Sequence, residues 1–128
     1  MVKIALVGCG GIGTNHANKL IQIPDAKIVA AVDIIPERAE KVAELANAKA
    51  FTDYRDALPL ADAVWVCTPP DSHRDISVDA LNANKHVFCE KPMALSLEEA
   101  DAMIEAAKTN DRLLGIGYCL RFLPWAEK

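Results

Sequence analysis

Short runs of consecutive apolar residues alternate along the chain with longer segments in which apolar residues recur every three or four positions. The short runs are bounded by Gly, Pro, Asn or Asp, which is typical of strands buried on both faces of a parallel sheet. The longer segments have the period of amphipathic helices. The predicted strands are 3–8, 26–33, 48–52, 62–68, 85–90 and 112–118, and the predicted helical segments are 13–23, 36–46, 53–58, 71–84 and 97–107.

Residues that favour helix ends lie at several of these boundaries. Pro36 occupies the favoured first position of a helix, and Asn84 is suited to the left-handed conformation that ends one. Ser96 and Glu99 form an S-x-x-E capping box. The apolar spacing predicts two buried helix faces, made of Ile76, Ala80 and Ala83 in the fourth helical segment and of Leu97, Ala100, Ile104 and Ala107 in the fifth.

Strands joined by helical crossovers imply a parallel sheet with right-handed connections and helices on both faces. We therefore predict an α/β fold with a doubly wound parallel sheet, a Rossmann fold, in the strand order 3-2-1-4-5-6. Residues 1–118 are expected to form this domain.

Composition and charge exclude several classes of function. The chain has 128 residues and a net charge of −4, without a basic block, so we expect no nucleic-acid partner. No apolar stretch approaches the roughly 18 residues of a membrane span. The first apolar run is too short for a signal peptide, so a cytoplasmic protein is expected. The chain has four cysteines, Cys9, Cys67, Cys89 and Cys119, and their spacing is not that of metal ligands. We therefore expect no metal site and expect these side chains to act as small buried hydrophobic groups.

The sequence "GCGGIG" directly follows the first predicted strand and opens a helix, which is the context that gives G-x-G-x-x-G its meaning. Gly8 permits a tight turn, Gly10 lets the backbone approach a pyrophosphate, and Gly13 lets the helix pack closely on the strand. The free N–H groups of the first helical turn, with Gly11 and Ile12, would face the phosphates. The loop predicts a dinucleotide site.

Asp33 ends the second strand, twenty residues beyond Gly13, where a carboxylate can accept hydrogen bonds from the adenosine ribose. A carboxylate there would repel a 2′-phosphate, so NAD is the expected cofactor and NADP is less favoured, although Arg38 could swing in. The alternative is a glycine turn in a nucleotide-free domain, with Asp33 capping the next helix.

Two further loops follow strands at the same edge of the predicted sheet. Thr68, Pro69 and Pro70 make a rigid loop suited to lie flat against a ring or ribose, or they simply end a strand. His73, in the first turn of the next helix, is a candidate cofactor-binding residue, although its position favours a cap or packing residue over a catalyst. His16 is interpreted as support for the glycine loop.

Glu90, Lys91 and Pro92 follow the fifth strand without a polar turn between. These residues could be a surface ion pair at a loop, or they could aim a lysine into a site. On its own this segment favours neither interpretation.

Five motifs occur in this order along the chain: "GCGGIGTNHA", "AVD", "CTPPDSH", "EKPMAL" and "GYCLRFLP". Together they resemble the N-terminal domain of the Gfo/Idh/MocA family of glucose–fructose oxidoreductases and inositol dehydrogenases. The resemblance implies an NAD(P)-dependent oxidoreductase acting on a sugar, cyclitol or related polyol. It also implies that Lys91 lies beside the nicotinamide and contacts the reacting hydroxyl, that Glu90 orients the nicotinamide ribose, and that the Lys91–Pro92 bond is cis.

The family continues into a C-terminal open antiparallel sheet that supplies the substrate pocket, and this chain is expected to lack it. Residues 119–128, "CLRFLPWAEK", are expected to be the start of that truncated or missing domain, or else a tail folded back on its own domain. The chain alone should then be inactive on polyols. The alternatives are a stand-alone NAD-binding module or sensor, possible as a homo-oligomer, and a different oxidoreductase such as an imine or dihydrodiol reductase.

Overall fold

A computed structural model describes residues 1–117, so the predictions made for 118–128 lie outside the described residues. The six strands are β1 (Val2–Val7), β2 (Ala26–Val32), β3 (Lys49–Phe51), β4 (Ala63–Val66), β5 (His86–Glu90) and β6 (Leu114–Gly117). The helices are α1 (Gly11–Leu20), α2 (Pro36–Ala46), α3 (Tyr54–Ala57), α4 (His73–Asn82) and α5 (Leu97–Asn110), with short 3₁₀ turns at Leu58–Leu60 and Pro70–Ser72.

The strands form one sheet in the order β3-β2-β1-β4-β5-β6, and every pair of neighbours is parallel. The predicted fold class and strand order are confirmed. After β1 the chain moves to one side of the sheet, and after β3 it crosses to the other side of β1. The point where the order reverses therefore lies between β1 and β4.

Side chains of the central strand β1 alternate between two apolar cores, one on each face of the sheet. Ile4 and Leu6 pack with residues of α1 and α2, whereas Ala5 and Val7 belong to the core that α4 and α5 cover. All four side chains are buried. Burial on both faces explains why this strand is a continuous apolar run.

Two predicted helical segments have the wrong boundaries. The first helix begins at Gly11 rather than at 13 and ends at Leu20 rather than at 23. The predicted segment 71–84 divides into the 3₁₀ turn Pro70–Ser72 and α4. Ala83 follows α4 and is exposed, so its predicted inward position is also wrong, while Ile76 and Ala80 are buried as predicted.

The predicted buried face of α5 is partly wrong. Ala107 packs against the core and Ala100 is half-buried, but the most buried side chains are those one residue before Ile104 and Ala107. Met103 is fully buried and Ala106 nearly so, while Leu97 is 83% exposed and Ile104 is 42% exposed. One residue corresponds to about 100° around a helix. Small and aliphatic residues occur on both faces of α5, so the spacing in the sequence fits either orientation.

Helix caps match the sequence prediction in most details. Asn84 has a φ of 67°, in the left-handed region, as predicted. The Ser96 hydroxyl oxygen accepts a hydrogen bond from the Glu99 N–H at 3.2 Å. The Glu99 carboxylate does not complete the reciprocal bond to the cap residue but accepts from the Leu95 N–H at 3.1 Å. One half of the predicted capping box is therefore confirmed.

Candidate functional site

The carboxyl ends of the strands open into a groove of about 790 Å³ at the point where the strand order reverses. This is the place where ligands bind in open α/β sheets. The groove is lined by Gly8, Gly10, Gly11 and Ile12 after β1, Asp33, Ile34, Ile35 and Arg38 after β2, Thr52, Tyr54 and Arg55 after β3, Thr68, Pro69, Pro70, Asp71, Ser72 and Asp75 after β4, and Glu90 and Lys91 at β5, together with the strand and helix residues Val7, Val32, Cys67 and Ile76.

Gly8 and Gly13 are required by packing within the protein. Gly8 has a φ of +99°, and a Cβ on it would lie 2.6 Å from the Cys67 carbonyl carbon. A Cβ on Gly13 would lie 1.8 Å from the Gly8 carbonyl oxygen. Gly13 does not line the groove, and its role is the close approach of α1 to β1.

Gly10 and Gly11 are not required by packing. A Cβ on Gly10 would meet only the Arg38 Nη1 atom, at 3.7 Å, and a Cβ on Gly11 would meet nothing within 4 Å. The space above these two residues therefore stays open at the N-terminus of α1. The first N–H groups of a helix lack an internal acceptor, and the first turn of α1 contains no acidic residue. This open space suits a phosphate group.

The Asp33 carboxylate is fixed at both oxygens by backbone groups. Its Oδ2 atom accepts from the Cys9 N–H at 2.8 Å, and its Oδ1 atom accepts from the Ile35 N–H at 2.9 Å. The first bond ties the end of β2 to the glycine loop, and the second lies just before α2. Each carboxylate oxygen keeps a further lone pair for a ligand hydroxyl.

The loop after β4 is held by its own hydroxyl groups. The Ser72 Oγ atom lies 2.6 Å from the Thr68 Oγ1 atom and 3.0 Å from the Pro69 carbonyl oxygen. Thr68, Pro69 and Pro70 all line the groove. The loop is thus a fixed wall with few hydrogen-bond donors.

His73 lies behind this loop and does not reach the groove. Its side chain is fully buried, and it is absent from the groove lining. The Nε2 atom lies 2.7 Å from the Thr68 carbonyl oxygen and the Nδ1 atom lies 2.8 Å from the Pro92 carbonyl oxygen. In this structure His73 connects two loops, which fits the packing role that the sequence left open.

Glu90 and Lys91 stand at the opposite end of the groove from Asp33. The Glu90 Oε2 atom lies 2.8 Å from the His16 Nε2 atom, and Oε1 accepts from the Lys91 N–H at 3.3 Å. Lys91 is exposed at the groove, and the Lys91–Pro92 bond is cis, as the resemblance implies. The sequence did not reveal that His16 links α1 to the end of β5.

An aromatic stack holds this His16–Glu90 pair against the sheet. The ring of Phe88 stacks on Trp65 at a centroid distance of 4.7 Å and meets the His16 ring edge-on at 5.6 Å. Gly117 leaves room for the stack, since a Cβ there would lie 2.6 Å from Phe88 and 3.0 Å from the Glu90 Oε2 atom. Glu90 is therefore confined on three sides.

Sequence reasoning missed the groove residues that follow β3, namely Thr52, Tyr54 and Arg55. The signal was available, because the rule that ligands lie beyond the carboxyl ends of strands applies to the third strand as well. The Tyr54 hydroxyl donates to the Asp79 carboxylate. Burial, and then this bond, raises the pKa of Tyr54 to about 12.

The thiols of the described residues are poor candidates for chemistry. Burial is the largest cause that raises the pKa of Cys9 and of Cys89 to about 12, and burial also raises that of Cys67. A thiol with a raised pKa stays neutral and unreactive near pH 7. Within residues 1–117 no group of three or more His, Cys, Asp or Glu side chains could hold a metal ion, and no helix is long and apolar enough to cross a bilayer.

A doubly wound sheet, a glycine loop with open space at a helix N-terminus, and a fixed carboxylate after β2 define the class of dinucleotide-binding α/β domains. A family model described as "Oxidoreductase family, NAD-binding Rossmann fold" (GFO_IDH_MocA) matches residues 2–118. The chain belongs to this family.

Several proteins of known name are similar to this chain. It is 39% identical over 124 residues to a myo-inositol 2-dehydrogenase of Thermotoga maritima, covering 94% of this chain and 37% of that protein. It is 34% identical over 127 residues to a glucose-6-phosphate 3-dehydrogenase of Bacillus subtilis, covering 99% and 36%. A crystal structure of scyllo-inositol dehydrogenase from Lactobacillus casei, with bound NAD(H) and scyllo-inositol, matches with a TM-score of 0.88 and 31% identity, covering 95% and 37%.

The chain thus spans little more than a third of the length of these proteins. The matched third is the dinucleotide-binding domain that the family model describes.

Proposed function

We propose that this chain binds NAD in the groove and forms the cofactor-binding half of an oxidoreductase. Its reaction transfers a hydride to or from a hydroxyl-bearing carbon of a sugar, cyclitol or related polyol. The observation that carries the proposal is the open space above Gly10 and Gly11, which lies between the N-terminus of α1 and the fixed Asp33 carboxylate.

A dinucleotide fits the groove in one direction. The pyrophosphate lies over Gly10, Gly11 and Ile12, where the helix N-terminus favours negative charge. Asp33 accepts hydrogen bonds from the adenosine ribose. The nicotinamide half then extends toward the Thr68 loop and Lys91, which line the other end of the same groove.

NAD is favoured over NADP because Asp33 is not free to move. Two backbone N–H groups hold its carboxylate, so a 2′-phosphate would meet a fixed negative charge. Arg38 could offset that repulsion, but its Nη1 atom lies beside Gly10. We therefore assign NAD as the preferred cofactor.

Lys91 is the proposed catalytic residue. When a hydroxyl-bearing carbon is oxidised, the carbon loses a hydride and the hydroxyl oxygen loses a proton; NAD, when bound, accepts the hydride. Lys91 contacts that oxygen and supplies a hydrogen bond or takes part in the proton transfer. Glu90, held by His16, orients the nicotinamide ribose.

The substrate class is suggested by the relatives, which are named as dehydrogenases of inositols and of glucose 6-phosphate. Since this chain corresponds to about 37% of such a protein, we propose that the substrate wall is formed by sequence equivalent to the rest of those relatives. A hydride acceptor without that wall cannot orient a polyol.

Binding of NADH to the chain tests the cofactor assignment. We expect enhanced nicotinamide fluorescence on binding, and a dissociation constant raised at least about tenfold by Asp33→Ala, since hydrogen bonds to a charged group are lost. The same variant should also bring the dissociation constants of NADH and NADPH closer together, because the charge that repels the 2′-phosphate is removed. Asp101→Ala, at an exposed position of α5, is the control and should change neither. Calorimetry that shows no binding of either dinucleotide to folded wild-type protein would falsify the proposal.

Polyol turnover tests the need for a substrate wall. The 128-residue chain, incubated with NAD and myo-inositol or glucose, should produce no steady NADH signal. Steady NADH production by this chain alone would show that no second domain is required.

A further inference from the structure

The five residues that follow β5, residues 91–95, form a loop in which Lys91, Pro92 and Leu95 are exposed, while Met93 and Ala94 are half-buried against the core. Some of their hydrogen bonds are to sequence neighbours, from the Lys91 N–H to Glu90 and from the Leu95 N–H to Glu99. Within residues 1–117, the single hydrogen-bonding contact that ties this loop to a different part of the fold joins the Pro92 carbonyl oxygen to His73 Nδ1, at 2.8 Å.

The other ring nitrogen of His73 contacts a second loop of the groove. Nε2 lies 2.7 Å from the carbonyl oxygen of Thr68, so a fully buried imidazole spans the loops after β4 and β5. The ring is rigid, and it therefore fixes the separation of these two carbonyl oxygens. Both loops line the end of the groove that the nicotinamide half would occupy.

A carbonyl oxygen only accepts hydrogen bonds, so at least one ring nitrogen must donate here. A neutral imidazole carries one N–H and donates to one carbonyl oxygen at a time, whereas the protonated ring donates to both. A phenylalanine ring at this position fills similar space but donates to neither. The two loops would then lose their bridge while the core stays filled.

The adenosine end of the groove is held by a separate set of bonds. Asp33 is tied to the N–H groups of Cys9 and Ile35, and the Gly8 N–H donates to the Val32 carbonyl oxygen at 2.7 Å. None of these bonds involves α4 or the loop after β5. A change at His73 should therefore leave this end of the groove intact.

We propose that His73 is a positioning residue for Lys91. By bridging the Thr68 and Pro92 carbonyl oxygens, it holds Lys91 and the Thr68 loop at the spacing that receives the nicotinamide half of the cofactor. It has no part in holding the adenosine half. This inference rests on the proposed NAD site, and it concerns the internal arrangement of that site.

The test compares two ligands, NADH and ADP, because ADP has the adenosine and pyrophosphate but no nicotinamide. His73→Phe should raise the dissociation constant of NADH about tenfold, the loss expected from one or two hydrogen bonds, and should leave that of ADP within about twofold. His73→Gln keeps an amide donor and should show a smaller rise for NADH, which would be partial rescue by a conservative change. If the Phe variant does not fold, the Gln variant carries the same comparison.

His86→Phe is the matched control. His86 Nδ1 accepts a hydrogen bond from the Leu113 N–H at 3.0 Å, so it is also a histidine bound to the backbone, but it lies at the start of β5, away from the groove. This variant should change neither dissociation constant.

Labelling of Lys91 by an amine-reactive reagent, followed by mass spectrometry, gives an independent readout. NADH should protect Lys91 in the wild-type protein, ADP should not, and NADH at saturation should protect it less in His73→Phe. Equal weakening of NADH and ADP in both His73 variants, or unchanged NADH binding, would overturn the inference. Wild-type protein that fails to bind NADH would overturn the proposed function instead.

Discussion

At the scale of single residues, the glycines of one short motif have separable physical roles. Gly8 and Gly13 are needed because the protein's own atoms occupy the space of a Cβ. Gly10 is different, since a Cβ there meets only the tip of the flexible Arg38 side chain. Substitution of Gly8 or Gly13 should therefore affect folding, whereas substitution of Gly10 should affect ligand binding.

Gly10→Ala should bind NADH at least about tenfold more weakly and lose little stability, because its φ of −79° is open to alanine and the methyl group would stand where a phosphate approaches. Gly13→Ala should instead lower the free energy of unfolding by more than about 2 kcal/mol, since its Cβ would overlap the Gly8 carbonyl. Urea denaturation and calorimetry measure the two effects. Unchanged NADH affinity in folded Gly10→Ala would contradict the phosphate position.

The sequence predicted these roles because the motif fixes backbone positions, and backbone positions determine where ligand atoms can lie. It could not predict that His16 reaches Glu90, because 74 residues separate the two and their contact depends on how α1 packs against the end of β5. It favoured a cap or packing role for His73 but could not settle it, since an isolated histidine at a helix start also fits a ligand.

At the scale of elements, parallel strands were easier to predict than the orientation of helices. A strand buried on both faces is a continuous apolar run, and its order in the sheet follows from crossover rules. Helix α5 contains alanine, leucine, isoleucine and methionine on more than one face. Its orientation is set by packing on α4 and the sheet, which the sequence does not show.

Substitutions at two adjacent positions of α5 test its observed orientation. Met103→Ala should cost about 2 kcal/mol or more of unfolding free energy, because the side chain is fully buried and a cavity would remain. Ile104→Ala, on the face predicted from sequence, should cost less than about 1 kcal/mol, because the side chain is 42% exposed. Urea midpoints measure both, and a larger loss at Ile104 would mean that α5 is turned the other way.

At the scale of the whole molecule, the site depends on loops that follow five strands, and thiols lie at or near the ends of β1, β4 and β5. Two of them are buried, and the one after β4 is partly buried and lines the groove. Cys9, Cys67 and Cys89 occupy these positions, and burial raises the pKa of each. The folded domain therefore favours the neutral, protonated form of these thiols, and its stability depends on their staying protonated.

Stability should consequently fall in alkaline solution. In the unfolded chain the thiols regain an ordinary pKa near 9.0, whereas Cys9 and Cys89 ionise at about 12 in the folded protein. Well below pH 9 the thiols are protonated in both the folded and the unfolded state, so this contribution to the free energy of unfolding is fully retained. Above that pH the unfolded chain loses protons first, so the free energy of unfolding declines between about pH 9 and pH 12. Tyr54, with its pKa raised to about 12, adds to the upper part of this decline.

Urea midpoints measured from about pH 7 to about pH 10.5 would show this decline in the wild-type protein. Cys9→Ala and Cys89→Ala should each make the decline shallower, whatever their stability at neutral pH, because one proton fewer is linked to unfolding. Thr109→Ala, at an exposed position of α5, carries no ionisable group and should leave the slope unchanged. Parallel curves for the cysteine variants and the wild-type protein would mean that these thiols are not sheltered from solvent in the folded state.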